Sequence, residues 1–120
     1  MAYIAIEELD YPTALVYLDR GLALEPDHPD LWHEKAFALS RLGQFEEARQ
    51  SYLKQMDVRP WSSKLNTASA WRGVGNVLID MNRLDEAEEA LNKSRVLEPG
   101  NENAQIELQY IAEMRSNNKR

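Results

Sequence analysis

Cysteine is absent from this chain of 120 residues, which excludes disulfide staples, cysteine nucleophiles and zinc sites built on thiolates. No apolar run approaches the roughly 20 residues that span a bilayer, and the N-terminus has neither the basic start nor the long apolar stretch of a secretion signal. The expected location is cytoplasmic. A basic patch is missing as well: the formal net charge is −6, and no run of cations precedes the terminal Lys119-Arg120. Such a chain repels phosphate backbones and anionic lipid surfaces, so neither nucleic acid nor membrane is expected as a partner.

What is present is enough for one globular domain with a modest core, 43% of the residues being hydrophobic and 28% charged. The hydrophobic residues recur at a fixed interval. Ala14, Leu18, Leu24 and Pro26 return 34 positions later as Ala48, Tyr52, Val58 and Pro60. Trp32, Leu39, Phe45, Ala48, Tyr52 and Pro60 return after a step of 39 as Trp71, Leu78, Leu84, Ala87, Leu91 and Pro99. A unit this short cannot bury its apolar face alone, so copies must stack and share a core.

Within each copy the spacing predicts two helices. Leu31, Lys35, Ala36, Ala38, Leu39 and Leu42 fall at helical spacing, giving a helix over 29–42 that Gly43 stops. Ala48, Tyr52, Leu53 and Met56 share one face of a second helix over 45–58, ended by Pro60. The short turn at Gly43-Gln44 makes the pair antiparallel neighbours. The next copy has helices over 70–81 and 84–97, joined at Asn82-Arg83, where Asn82 can take the left-handed conformation of Gly43. Pro12 to Leu24 forms the second helix of an earlier copy whose first helix has only Ala2 to Leu9 to draw on. The five extra residues of the longer step fall at about 63–67, where Ser62 or Ser63 can cap a helix that starts early. Ile106, Leu108, Ile111 and Met114 suit a terminal helix over 102–114 that covers the last repeat, and 115–120 reads as a flexible tail.

These positions resemble the tetratricopeptide repeat (TPR) family, arrays of 34-residue helix-turn-helix units. The signature is carried by Trp32, Ala36, Leu39, Ala48, Tyr52 and Pro60, then by Trp71, Gly75, Leu78, Ala87, Leu91 and Pro99. The small residues let backbones approach and the tryptophans fill the wedge between helices. Gln55 and Ser94 depart from the pattern, standing where a small apolar residue is usual, and are expected to weaken local packing. The resemblance implies an all-α helix-turn-helix solenoid of about three repeats plus a capping helix. Its expected divisions are a truncated repeat 1–28, a repeat 29–62, the insertion at 63–67, a repeat 68–101 and the cap 102–114, together one domain over 1–114.

It also implies a concave groove lined by the first helices, where such proteins bind a partner's peptide or helix. Carried over position by position, the groove residues are Tyr3 and Glu7, then His33, Glu34, Phe37 and Arg41, then Arg72, Asn76 and Asp80, with Glu107 and Tyr110 from the cap. The aromatic residues are candidate anchors, and Arg72 with Asn76 can hold a backbone or a carboxylate. One subclass grips the C-terminal carboxylate of chaperones, but Glu34 and Gly73 stand where that clamp needs asparagine and arginine, and the helix that should supply its lysine is truncated. The expectation is a protein or peptide partner other than a chaperone tail. The alternative is a structural role in which the incomplete N-terminal edge around Tyr3, Ile4, Ile6 and Leu9 pairs with another copy or continues a longer array.

Catalytic constellations do not assemble. His33-Glu34 begins like a zinc-protease helix, but residue 37 is phenylalanine instead of the second histidine. Asp27, His28, Asp30 and His33 are accounted for by a turn between Pro26 and Pro29 with its helix start. Arg72-Gly73-Val74-Gly75 lies inside a helix and lacks the lysine of a nucleotide loop, so its glycines are read as packing and groove-floor residues. The acidic runs at 46–47 and 85–89 fall at helix N-termini, where the dipole favours them. No enzymatic activity, cofactor or metal is expected.

Overall fold

A computed structural model describes residues 10–58 and 63–118. They form six α-helices: α1 (Tyr11–Leu24), α2 (Pro29–Arg41), α3 (Phe45–Asp57), α4 (Lys64–Asp80), α5 (Leu84–Leu97) and α6 (Glu102–Asn118). Among the described residues none of these is long and apolar enough to cross a membrane.

Local chemistry sets most helix ends. The Asp10 carboxylate accepts from the Thr13 amide at 3.2 Å and Pro12 occupies the first turn of α1. α2 starts at Pro29 with Asp30 in its first turn, and α3 and α5 start with Glu46-Glu47 and Asp85-Glu86. Gly43 and Asn82 close α2 and α4 with φ of 79° and 59°. In each case the chain folds back on itself. The Gln44 amide donates to Leu39 O at 2.9 Å and the Arg83 amide to Leu78 O at 2.8 Å, the paired bonds of a left-handed C-terminal cap.

Successive helices pack as antiparallel neighbours, and the buried seams between them form two clusters. The larger runs from α2 to α6 through Ala36, Leu39, Ala48, Tyr52, Val74, Leu78, Ala87, Leu91 and Ile111. A smaller one, Ala14, Leu18 and Ala38, ties α1 to α2. The small residues matter by distance: a Cβ on Gly73 would stand 2.4 Å from a Tyr52 ring carbon, and one on Gly75 2.6 Å from Leu91. Helix α4 can lie this close to α3 and α5 because those two positions have no side chain.

Helix α4 begins at Lys64, the early start that a serine cap allows: Ser63 Oγ accepts from the Asn66 amide at 3.0 Å, so 64–67 form an added turn of helix. The structure differs from expectation at two places. Helix α6 continues past Met114 to Asn118, because Arg115 reaches back to Glu88 and Asp85 on α5 and ties down the turn that was expected to fray. Gln55 and Ser94 do not loosen the packing. Both are buried, and both bond across helices: Ser94 Oγ donates to Ala68 O at 2.8 Å, and Gln55 Nε2 donates to Asn66 Oδ1 at 2.9 Å. The segment preceding Asp10 and the Pro60 exit lie outside the described residues.

Candidate functional site

A cleft of about 630 Å³ opens along the faces of α2, α4 and α6. Helix α2 contributes His33, Phe37, Ser40 and Arg41; α4 contributes Ser69, Arg72, Gly73, Asn76, Ile79 and Asp80; α6 contributes Ile106, Glu107 and Tyr110. The periodicity of a helix places residues 33, 37 and 41, and then 72, 76 and 80, on single stripes. The floor is Tyr52 of α3, seen over the missing side chain of Gly73.

Eight of the eleven groove candidates therefore line one cleft: His33, Phe37, Arg41, Arg72, Asn76, Asp80, Glu107 and Tyr110. Tyr3 and Glu7 lie outside the described residues. Glu34, half-buried, is not part of the lining, whereas Glu107 is. Ile106 is a correction: read as cover for the last repeat, it is 63% exposed and lines the cleft, leaving Ala104 and Ile111 to face the core. The repeat interval carries the signal for it, since Ile106 and Tyr110 stand one 34-residue step after Arg72 and Asn76.

Each wall has its own chemistry. Phe37 is gripped on two sides, by the edge of the Tyr11 ring at 6.1 Å and by the Arg41 guanidinium 4.9 Å above its face. Arg72 Nε donates to Glu107 Oε1 at 2.7 Å, joining α4 to α6 across the cleft. Burial pushes the Glu107 carboxyl above the usual carboxylate range, against the opposing pull of Arg72 and the Asn76 amide. Tyr52 is 5% exposed, and burial raises its phenol to about 12; Arg41 and Arg72 oppose the shift while Asp80 adds to it. His33 packs edge-on against Tyr52 at 5.4 Å and places Nδ1 2.9 Å from Gln55 Oε1.

The arrangement pairs apolar area with hydrogen-bonding groups of both signs on a rigid helical frame. Among the described residues no cluster of three or more histidine, cysteine or acidic side chains is placed to hold a metal.

Two tetratricopeptide repeat family models match the sequence, one over residues 2–70 and one over 68–94. The chain belongs to the tetratricopeptide repeat family. A 49-residue stretch is 39% identical to an uncharacterized protein of Methanocaldococcus jannaschii, covering 41% of this chain and 57% of that protein. The chain thus spans little more than half the length of that curated relative. Among solved structures it is similar to the first TPR of Spaghetti (RPAP3) bound to the HSP90 peptide SRMEEVD, at 22% identity and a TM-score of 0.82 over 96% of this chain and 87% of that one. The second TPR domain of human RPAP3, in complex with the HSP70 peptide SGPTIEEVD, matches at 23% identity with a TM-score of 0.81, over 92% and 88%. The TPR domain of Sgt2 from Aspergillus fumigatus matches at 24% and 0.82, over 99% and 78%. These likenesses establish the all-α TPR solenoid.

Proposed function

We propose that this protein is a non-enzymatic interaction module that takes a partner's peptide into the cleft between α2, α4 and α6. The observation that carries this reading is that two first helices and the capping helix bring aromatic and charged side chains to one cleft of about 630 Å³, a size suited to a few side chains of a bound segment. Phe37 and Tyr110 are the anchors by area, and Arg41, Arg72, Asn76 and Asp80 supply polar contacts. Two structural neighbours hold peptides, which supports the mode of use. Their acidic tails are not the ligand proposed here. Arg72 already carries a carboxylate, that of Glu107, and the chain's charge of −6 opposes an acidic segment. The self-assembly alternative concerns an N-terminal edge outside the described residues.

The test is capture from lysate of the source organism on the immobilised chain, beside Phe37→Glu and Arg72→Glu variants whose helicity matches the parent. A protein retained by the parent and lost by both variants supports the cleft; equal retention by all three rejects it.

A further inference from the structure

The hydrogen bonds around Gln55 have a direction that can be worked out from one unambiguous atom. Asn66 Nδ2 lies 2.9 Å from the backbone oxygen of Gln55, and a carbonyl oxygen only accepts, so the amide end of Asn66 is fixed there. Asn66 Oδ1 is then the acceptor facing Gln55 Nε2 at 2.9 Å. Gln55 must turn its own oxygen the other way, toward His33 Nδ1 at 2.9 Å, and an oxygen there requires a proton on Nδ1. A neutral imidazole holding its proton on Nδ1 has a bare lone pair on Nε2. His33 lines the cleft, and Nδ1 is the ring nitrogen committed to Gln55 of α3, which leaves Nε2 as the nitrogen available to a ligand there.

We propose that Gln55, oriented by Asn66, is a positioning residue that fixes His33 as its Nδ1–H tautomer and makes Nε2 an acceptor for an N–H donor of the bound peptide. This rests on the cleft being the peptide site. The donor that fits best is a lysine or arginine side chain. The chain carries −6, Arg72 is already neutralised by Glu107, the Arg41 guanidinium is engaged over the Phe37 ring, and Asp80 on the same cleft has no ion-pair partner among the described residues. Asn66 belongs to the added turn of α4, so the residues that break the repeat interval are the ones that set the histidine.

The first measurement needs no ligand. Long-range ¹H–¹⁵N correlation of the labelled protein at about pH 8.5, where imidazole is neutral, distinguishes the two tautomers. The chain has two histidines, so a His28→Asn variant assigns the signal. The parent is expected to show a protonated Nδ1 and a bare Nε2. Gln55→Leu should shift His33 toward Nε2–H, Gln55→Glu should retain Nδ1–H because a carboxylate still accepts there, and Asn66→Ala should give a mixture. Nε2–H in the parent, or an unchanged tautomer in both Gln55→Leu and Asn66→Ala, overturns the proposal.

The second measurement uses an array of octapeptides with the central residue fixed as Lys, Arg, Asp, Glu or norleucine and the rest randomised. The parent should retain Lys and Arg peptides about fivefold over norleucine, the effect of one hydrogen bond, and His33→Phe should abolish the preference. Equal retention of all five classes, or preference for Asp and Glu, overturns the acceptor role. Retention that Phe37→Glu leaves unchanged shows instead that the cleft is not the peptide site, whatever the tautomer.

Discussion

Tyr52 shows how much one position can be asked to do. It belongs to the signature of the repeat, fills the space left by Gly73, floors the cleft and meets the His33 ring. Its phenol, raised to about 12 by burial, sits above the ordinary value of 10, so the folded chain holds this proton more tightly than the unfolded one. Stability from this source is complete below pH 10 and is lost as pH rises through about 12. A two-unit difference corresponds to about 3 kcal/mol. Denaturant titration of the parent and of Tyr52→Phe at pH 8 and pH 11.5 should show the parent losing more stability than the variant; equal losses would mean the phenol reaches solvent. At this scale the sequence was legible where chemistry repeats: Ala48, Leu78 and Leu91 are buried as their spacing requires. It was less legible for Gln55, because a buried amide is stabilised by partners 22 and 11 residues away that spacing does not identify.

Among the described residues the helices followed the sequence closely in type and order, since turn residues with positive φ and prolines at first turns are local signals. The ends that shifted are those set by distant contacts. Arg115 is the case in point. Nothing in Ser116-Asn117 favours a helix, yet α6 continues there, held by one guanidinium between Asp85 and Glu88. Arg115→Ala should therefore fray α6 back toward Met114 and leave α5 unchanged. Amide exchange beyond Met114 is expected to rise to the rate of free peptide, and high salt should move the parent in the same direction. Unchanged protection in the variant would place the cause of the added turn elsewhere. The same helix explains why part of the cleft was missed: its apolar residues face two ways, Ile111 to the core and Ile106 to the groove, so one-sided periodicity could not sort them.

The molecule as a whole extends over 48 × 30 × 21 Å, a stack in which each helix touches mainly its neighbours. Such a stack need not open all at once. Its larger cluster links α2 to α6 and meets α1 at Leu15, whereas α1 is otherwise held by the small cluster of Ala14, Leu18 and Ala38, by the Tyr11–Phe37 ring contact and by the Lys35–Asp19 pair at 2.8 Å. Native-state hydrogen exchange should find α1 amides opening at lower free energy than those of α4 and α5, without a matching loss in α5. A single cooperative opening of all six helices would contradict the division of the core.

The added turn of α4 also bears on modular engineering. A repeat array invites a designer to cut at its boundaries and splice in another unit, and the count of 34 marks Ala68 as the boundary on this side. A cut there would discard Asn66 together with the Ser63 cap, leaving Gln55 without its orienting amide and the groove imidazole free to choose its tautomer. The usable seam lies upstream of Ser63, so the functional unit of this array is longer than its sequence period.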